Sequence, residues 1–140
     1  MRAALALAVL AAALLAPARA SAEHAVHFRY TVIGFVKDAS GQPRGGAPVE
    51  LVRDKTGLSY RAETDPHGLY VVVARLGDET LGEHLTLRIG EARTRLTVEF
   101  EVDNHRDERG TRVDLEGARW LERPAWFRST LARILAPHTH

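Results

Sequence analysis

Hydrophobic and polar residues alternate along most of the chain between residues 26 and 116, which is the period of a β-strand with one buried face. The clearest case is the stretch 94–102, where apolar residues occupy every second position from Leu96 to Val102. The pattern predicts seven strands, at 26–36, 48–53, 57–63, 69–76, 84–89, 93–102 and 111–116. Short strands with frequent turn signals predict an all-β fold, a seven-stranded antiparallel Greek-key β-sandwich.

Glycine, proline and aspartate mark the ends of several of these strands. The sequence DKTG at 54–57 predicts a tight hairpin turn, because glycine tolerates positive φ. The sequence TDPHG at 64–68 predicts a second turn, in which Pro66 presets φ, Asp65 caps through its side chain and Gly68 closes the turn. We therefore interpret Asp65 and Gly68 as structural turn residues.

The first twenty residues have the pattern of a cleaved secretory signal peptide. Arg2 precedes an unbroken apolar stretch over 3–16, and the Ala-Arg-Ala sequence at 18–20 offers a cleavage site. Cleavage leaves 140 − 20 = 120 residues, enough for one domain, with the sandwich predicted at 21–117 and a periplasmic or secreted location. The chain has no cysteine, so the exported domain must be stable without disulfides.

The C-terminal segment 118–140 differs from the rest because it is rich in aromatic residues and has helical rather than strand periodicity. Pro124 stands where a short helix could begin, and Pro137 stands where it would stop. The segment predicts either a helix packed on the sandwich or a docking segment for a partner protein or a membrane. The candidate partner-binding residues are Trp120, Trp126, Phe127, Leu131 and Leu135.

Two segments carry a resemblance to a known family. Residues 35–51 (FVKDASGQPRGGAPVEL) and 64–70 (TDPHGLY) are similar to the "G-x-V-x-D-x-x-G-x-P-x-x-G-A-x-V-x-L" opening and the "T-D-x-x-G-x-F/Y" turn of carboxypeptidase regulatory-like domains. Those domains belong to the transthyretin-like, or prealbumin-like, set of seven-stranded sandwiches. The resemblance covers residues 32–76 and implies a non-catalytic accessory or binding domain whose partner, here, would be another exported protein.

Residue chemistry argues against an enzyme. The chain has no cysteine, and no serine stands in a nucleophile-elbow context. The transthyretin-like set includes hydroxyisourate hydrolases that end in Tyr-Arg-Gly-Ser, whereas this chain ends in Ala-Pro-His-Thr-His at 136–140. Removing Arg2 and Arg19 with the signal leaves 17 basic against 18 acidic residues, a net charge of −1, so no nucleic-acid partner is expected. We expect no cofactor.

Histidines supply the one alternative chemistry. If successive strands are antiparallel, loops 54–57, 77–83 and 103–110 share one end of the sandwich with the start of the first strand, and four histidines fall at that end. Imidazole and carboxylate groups are ligands for copper and zinc, so a periplasmic transition-metal-binding protein is the alternative function. The candidate metal ligands are His24, His27, His84 and His105.

Overall fold

A computed structural model describes residues 26–136 of the chain; the predicted signal peptide and His24 lie outside the described residues. The described residues form eight strands, which make two four-stranded sheets, and one α-helix. The strands are β1 (Phe28–Lys37), β2 (Pro48–Arg53), β3 (Ser59–Glu63), β4 (Leu69–Leu76), β5 (His84–Ile89), β6 (Ala92–Thr97), β7 (Arg109–Glu116) and β8 (Arg119–Glu122). Short 3₁₀ turns at Asp78–Thr80 and Pro124–Trp126 precede β5 and helix α1 (Phe127–Leu135).

The first sheet has the strand order β4-β1-β7-β8, and the second sheet has the order β3-β2-β5-β6. Every pairing is antiparallel except that of β1 with β7, which is parallel. The prediction of an antiparallel sandwich is therefore wrong for this pair. The chain forms β5 and β6 in the second sheet and then crosses to the first sheet, where β7 lies next to β1 and runs in the same direction.

The core lies between the two sheets and is built by the alternating apolar residues. Strand β1 contributes Tyr30, Val32 and Val36, and the facing strands β2 and β5 contribute fully buried valine, leucine and isoleucine side chains. The outer face of β1 is also covered, since Thr31 and Ile33 are buried although they point away from this core. Helix α1 lies over that outer face, where the Phe127 ring packs against Gly110, the residue of β7 that pairs with Thr31.

The number of strands and the extent of β6 differ from the prediction. Strand β8 was missed because it has only four residues and no alternation, yet it pairs with β7 through the loop at Gly117, whose φ of +64° suits a tight hairpin. Strand β6 ends at Thr97 rather than at 102, because its partner β5 begins at His84; beyond that pair, Val98 bonds to the turn residues Gly82 and Glu83. The apolar alternation still reaches Phe100, which packs against the core, but Val102 is exposed.

None of the helices formed by residues 26–136 has the length and the apolar character that crossing a membrane requires.

Candidate functional site

The two segments that carry the family resemblance contact each other. The Val36 N–H donates to the Gly68 carbonyl at 2.8 Å, and the Arg44 N–H donates to the Val36 carbonyl at 2.9 Å. Gly68 has a φ of +81°, and a Cβ there would collide with the Val36 carbonyl oxygen. The Asp65 carboxylate accepts the backbone N–H groups of His67 at 2.8 Å and Leu69 at 3.0 Å. These contacts fix the passage of the chain between the sheets.

A similar side-chain cap closes the turn after β1. The Asp38 carboxylate accepts the Ser40 hydroxyl at 2.7 Å and the Gln42 N–H at 2.9 Å. These hydrogen bonds, the Ser40 hydroxyl foremost, hold the pKa of Asp38 below its usual value. The carboxylate therefore stabilises the turn as its charged form.

Three of the four candidate histidine ligands lie within residues 26–136, and each of them has different surroundings. The His105 ring stacks on Phe28 with centroids 4.9 Å apart, and its Nε2 lies 3.7 Å from Asp78 Oδ2. His84 Nδ1 lies 3.5 Å from the Thr97 hydroxyl, and His27 is exposed. Among residues 26–136, no group of three or more histidine, aspartate and glutamate side chains is arranged to hold a metal ion.

The loops at this end of the sandwich are instead organised by Arg109, whose side chain is 7% exposed. Its guanidinium donates to Asp78 Oδ1 at 2.8 Å and lies over the rings of Phe28 and Phe100, at 4.6 and 4.0 Å from their centroids. Its second terminal nitrogen points at the carbonyls of the 101–104 segment. Arg109 therefore pairs with Asp78 and orders the loop.

A cleft of about 280 Å³ lies beside Arg109, between the 99–110 segment and the start of helix α1. Its charged groups are largely paired within the protein. Arg128 Nη1 lies 3.5 Å from Asp107, and Arg29 donates to Glu108 at 2.6 Å. The cleft is therefore mainly a seam between the loop and the helix.

A gap in the ladder between β1 and β7 is filled by two polar side chains. Gly34 and Phe35 have no partner residues in β7, whereas the residues before and after them do. The Tyr70 hydroxyl donates to the Val113 carbonyl at 2.5 Å, and the Asp114 carboxylate accepts the Phe35 N–H at 2.9 Å. Burial raises the pKa of Tyr70 far above its usual value, so this hydroxyl keeps its proton.

The same Asp114 carboxylate joins the C-terminal segment to the first sheet. It is 3% exposed and pairs with Arg123 and with Arg112, whose Nη2 is 3.1 Å away. Arg112 also donates to the Thr130 hydroxyl at 2.9 Å and lies 5.2 Å from the Trp126 ring. The arrangement fixes the start of helix α1 on the sheet.

The candidate partner-binding residues of the tail fall into two groups. Phe127 is 3% exposed and Trp120 packs against the core, so these two rings are used within the domain. Trp126 and Leu135 are 49% and 69% exposed, and Leu131 is half-buried. Leu131 and Leu135 border a shallow groove of about 160 Å³ whose other apolar walls are Val71 and Val73 of β4.

Strand β4 is an edge strand of its sheet and lies beside β3 of the other sheet; in the part of the chain described, its outward backbone groups make no hydrogen bonds over a short window. The Leu69 carbonyl accepts the Asp65 N–H, and the Arg75 carbonyl accepts the Tyr60 hydroxyl at 3.3 Å. Because the backbone groups of a strand point alternately to either side, those of Val71 and Val73 also point away from β1. Within the described part of the chain, no other group bonds to them. The window lies next to the groove that Leu131 and Leu135 border.

The other three edge strands are either charged or short. Strand β3 carries Arg61 and Glu63, β6 carries Arg93 and Arg95, and β8 is four residues long with a charge at each end. Charged and short edge strands resist pairing with another chain. Val71 and Val73, by contrast, are 37% and 39% exposed without a charge between them.

Sequence reasoning missed this site because β4 reads as an ordinary apolar strand. The run Val71-Val72-Val73-Ala74 was a usable signal, since a strand with one solvent face is expected to place polar residues at alternate positions. The position of β4 at the sheet edge, however, depends on the order of strands in the whole sheet.

No protein-family model matches the chain, and a search of the curated proteins finds no matching protein.

Proposed function

We propose that the protein is an exported, non-catalytic binding module of the transthyretin-like type, which docks another exported protein at the open edge of β4 beside helix α1. The transthyretin-like assignment is supported by the two four-stranded sheets and by the contact between the two motif segments at Val36, Arg44 and Gly68. The strand order also differs from that of an immunoglobulin domain, because β1 pairs with β4 and β7 and not with β2.

The observation that carries the proposal is the open window at Val71 and Val73. Two residues there present N–H and carbonyl groups that no group within residues 26–136 bonds to, and the groove beside them has four apolar side chains in its walls. Addition of a strand to a sheet edge is a recurrent mode of protein recognition, in which backbone hydrogen bonds supply affinity and side-chain pockets supply specificity. The edge strand and the tail thus form one surface.

The state of the buried ionisable groups supports a non-catalytic role. Arg109 and Asp114 are the charged residues with the least exposed side chains in the part of the chain described, and both are held in ion pairs and hydrogen bonds. These contacts fasten a loop and a helix.

The test is site-specific photo-crosslinking in the cells that naturally produce the chain. A photo-crosslinking amino acid at Val73 is expected to give an adduct with a second exported protein, while the same amino acid at Arg93, on the charged edge of β6, is expected to give none. The adduct at position 73 should disappear when Val71→Lys is also present. Equal labelling from both positions, or labelling from Arg93 alone, would contradict the proposal.

A further inference from the structure

The charges around the open window of β4 define the chemistry of what it binds. Arg75 and Arg29 are cross-strand neighbours on the outer face of the first sheet. Like charges in this position are destabilising. Glu108 neutralises Arg29 at 2.6 Å, but Arg75 makes no ion pair with any residue between 26 and 136. One positive charge therefore remains uncompensated at the end of the window.

We infer, resting on the proposed function, that the partner contributes an extended acidic–apolar segment, which adds to β4 as an antiparallel strand with a carboxylate opposite Arg75. Residues opposite each other across two strands lie on the same face, so a residue facing Arg75 projects on the outer side. Residues facing Val71 and Val73 project on that side too, against the groove with Leu131 and Leu135. The segment then has the pattern acidic-x-apolar-x-apolar.

Backbone geometry limits the length of this segment. Leu69 is already bonded to Asp65, and the Arg75 carbonyl is already bonded to Tyr60, so Val71 and Val73 supply the donors and acceptors. In an antiparallel pair, a residue whose N–H and carbonyl groups both point toward the neighbouring strand exchanges two hydrogen bonds with the residue opposite. The two apolar residues of the partner therefore form four backbone hydrogen bonds, and parallel addition would be slightly less stable.

A second copy of the chain suits the edge less well than a separate partner. If two copies of β4 pair about a two-fold axis so that Val71 meets Val73 of the second copy, the same register sets Arg75 opposite Leu69. That leucine offers no carboxylate, and its backbone is occupied by Asp65. Self-association would thus leave both Arg75 charges uncompensated, whereas an acidic residue of a separate partner would neutralise Arg75.

The experiment measures the binding of fluorescein-labelled peptides to the purified chain by fluorescence anisotropy. The probes are Ac-SETVTVTS-NH₂, its lysine counterpart Ac-SKTVTVTS-NH₂, and the acidic peptide with both valines N-methylated. The wild type is expected to bind the acidic peptide at least about fivefold more tightly than the lysine peptide, given the usual worth of a cross-strand charge pair. The N-methylated peptide is expected not to bind, because it lacks the donors that face Val71 and Val73.

Charge reversal tests the role of Arg75. Arg75→Glu is expected to invert the preference, so that the lysine peptide binds more tightly than the acidic one. Arg93→Glu, on the opposite sheet, is the matched control and should leave the preference unchanged. Equal binding of both peptides to the wild type and to Arg75→Glu would overturn the inference while leaving strand addition intact.

The remaining outcomes are also decisive. If neither peptide binds although crosslinking from Val73 captures a partner, the proposed function stands and the inferred segment is wrong. If neither peptide binds and the chain instead forms dimers that Val73→Lys abolishes, a second copy occupies the edge and the inference fails. If crosslinking from Val73 also fails, the proposed function fails with it.

Discussion

Gly34 of β1 shows how the fold can require a residue without a side chain. A Cβ at this position would collide with the Val113 carbonyl oxygen, and moving that carbonyl away would disturb its 2.5 Å hydrogen bond from the Tyr70 hydroxyl. The requirement is for space, since Gly34 is not among the glycines with positive φ.

Gly34→Ala is therefore expected to lower the free energy of unfolding by about 1–3 kcal/mol or more, as overpacking does in cores. Chemical denaturation of the purified chain measures the change. The control is Gly57→Ala, where φ is +75° and the space around the Cβ is open, so that only backbone strain of about 1–2 kcal/mol is expected. A smaller loss at Gly34 than at Gly57 would contradict the steric explanation.

Tyr70→Phe isolates the hydrogen bond that fills the gap in the ladder. Removing this buried hydroxyl leaves the Val113 carbonyl without its donor, which should lower the free energy of unfolding by about 1–3 kcal/mol. Tyr60→Phe is a matched control, because its hydroxyl makes an exposed 3.3 Å bond to Arg75. We expect a change below about 0.5 kcal/mol there. Similar losses in the two variants would argue that the Val113 carbonyl finds another donor.

Between elements, the Arg53–Glu83 pair joins the end of β2 to the turn before β5. Both guanidinium–carboxylate bonds are 2.8 Å long, and hydrogen bonding from Arg53 lowers the pKa of Glu83. The pair therefore stabilises the fold fully above the usual glutamate pKa of about 4.3 and loses this effect as the pH falls through the lowered pKa.

Glu83→Gln is expected to lower the free energy of unfolding by about 1 kcal/mol at pH 7 and to weaken its dependence on pH below the usual glutamate pKa of about 4.3. Urea titrations at several pH values measure both effects. Glu91→Gln, in the exposed turn between β5 and β6, should change neither. A pH profile of Glu83→Gln that parallels the wild type would show that Arg53 does not hold the carboxylate in its charged form.

The attachment of helix α1 depends on one carboxylate at the sheet surface. Asp114→Ala removes the acceptor shared by Arg112 and Arg123, and it also leaves the Phe35 N–H unpaired. Amide hydrogen exchange in residues 124–135 is expected to accelerate by more than tenfold, with slower exchange retained in the second sheet. Asp103→Ala, in an exposed loop, is the control. Unchanged exchange in the helix would mean that the packing of Phe127 alone holds it.

At the scale of the whole molecule, alternation in the sequence predicted most strands because burial of one sheet face leaves a period of two. Strands β2, β4 and β5 have the predicted bounds. Strand β8 escaped prediction because four residues cannot display a period, and its existence depends on pairing with β7. The parallel placement of β7 beside β1 depends likewise on contacts between residues 79 positions apart.

The candidate site was less accessible to sequence reasoning than the fold. Leu131 and Leu135 were named from helical spacing, but their companions Val71 and Val73 lie about sixty residues earlier in the chain. Phe127 has the same apolar character as Leu135, yet one is buried on Gly110 and the other is exposed. Composition cannot distinguish the buried residues of the helix from the exposed ones, because the position of the sheet determines which face of the helix is covered.

The parallel pairing of β1 with β7 also determines how the domain resists tension. If the two ends of the described chain are pulled apart, helix α1 detaches and β8 unzips from β7 one hydrogen-bonded pair at a time, because that pair is a hairpin. Strands β1 and β7, which run in the same direction, are then pulled from opposite ends and must slide past each other, so their hydrogen bonds share the load. A single-molecule stretching experiment should show a weak first event and a stronger second one, with the break at Gly34 and Phe35 setting where the strands begin to slip.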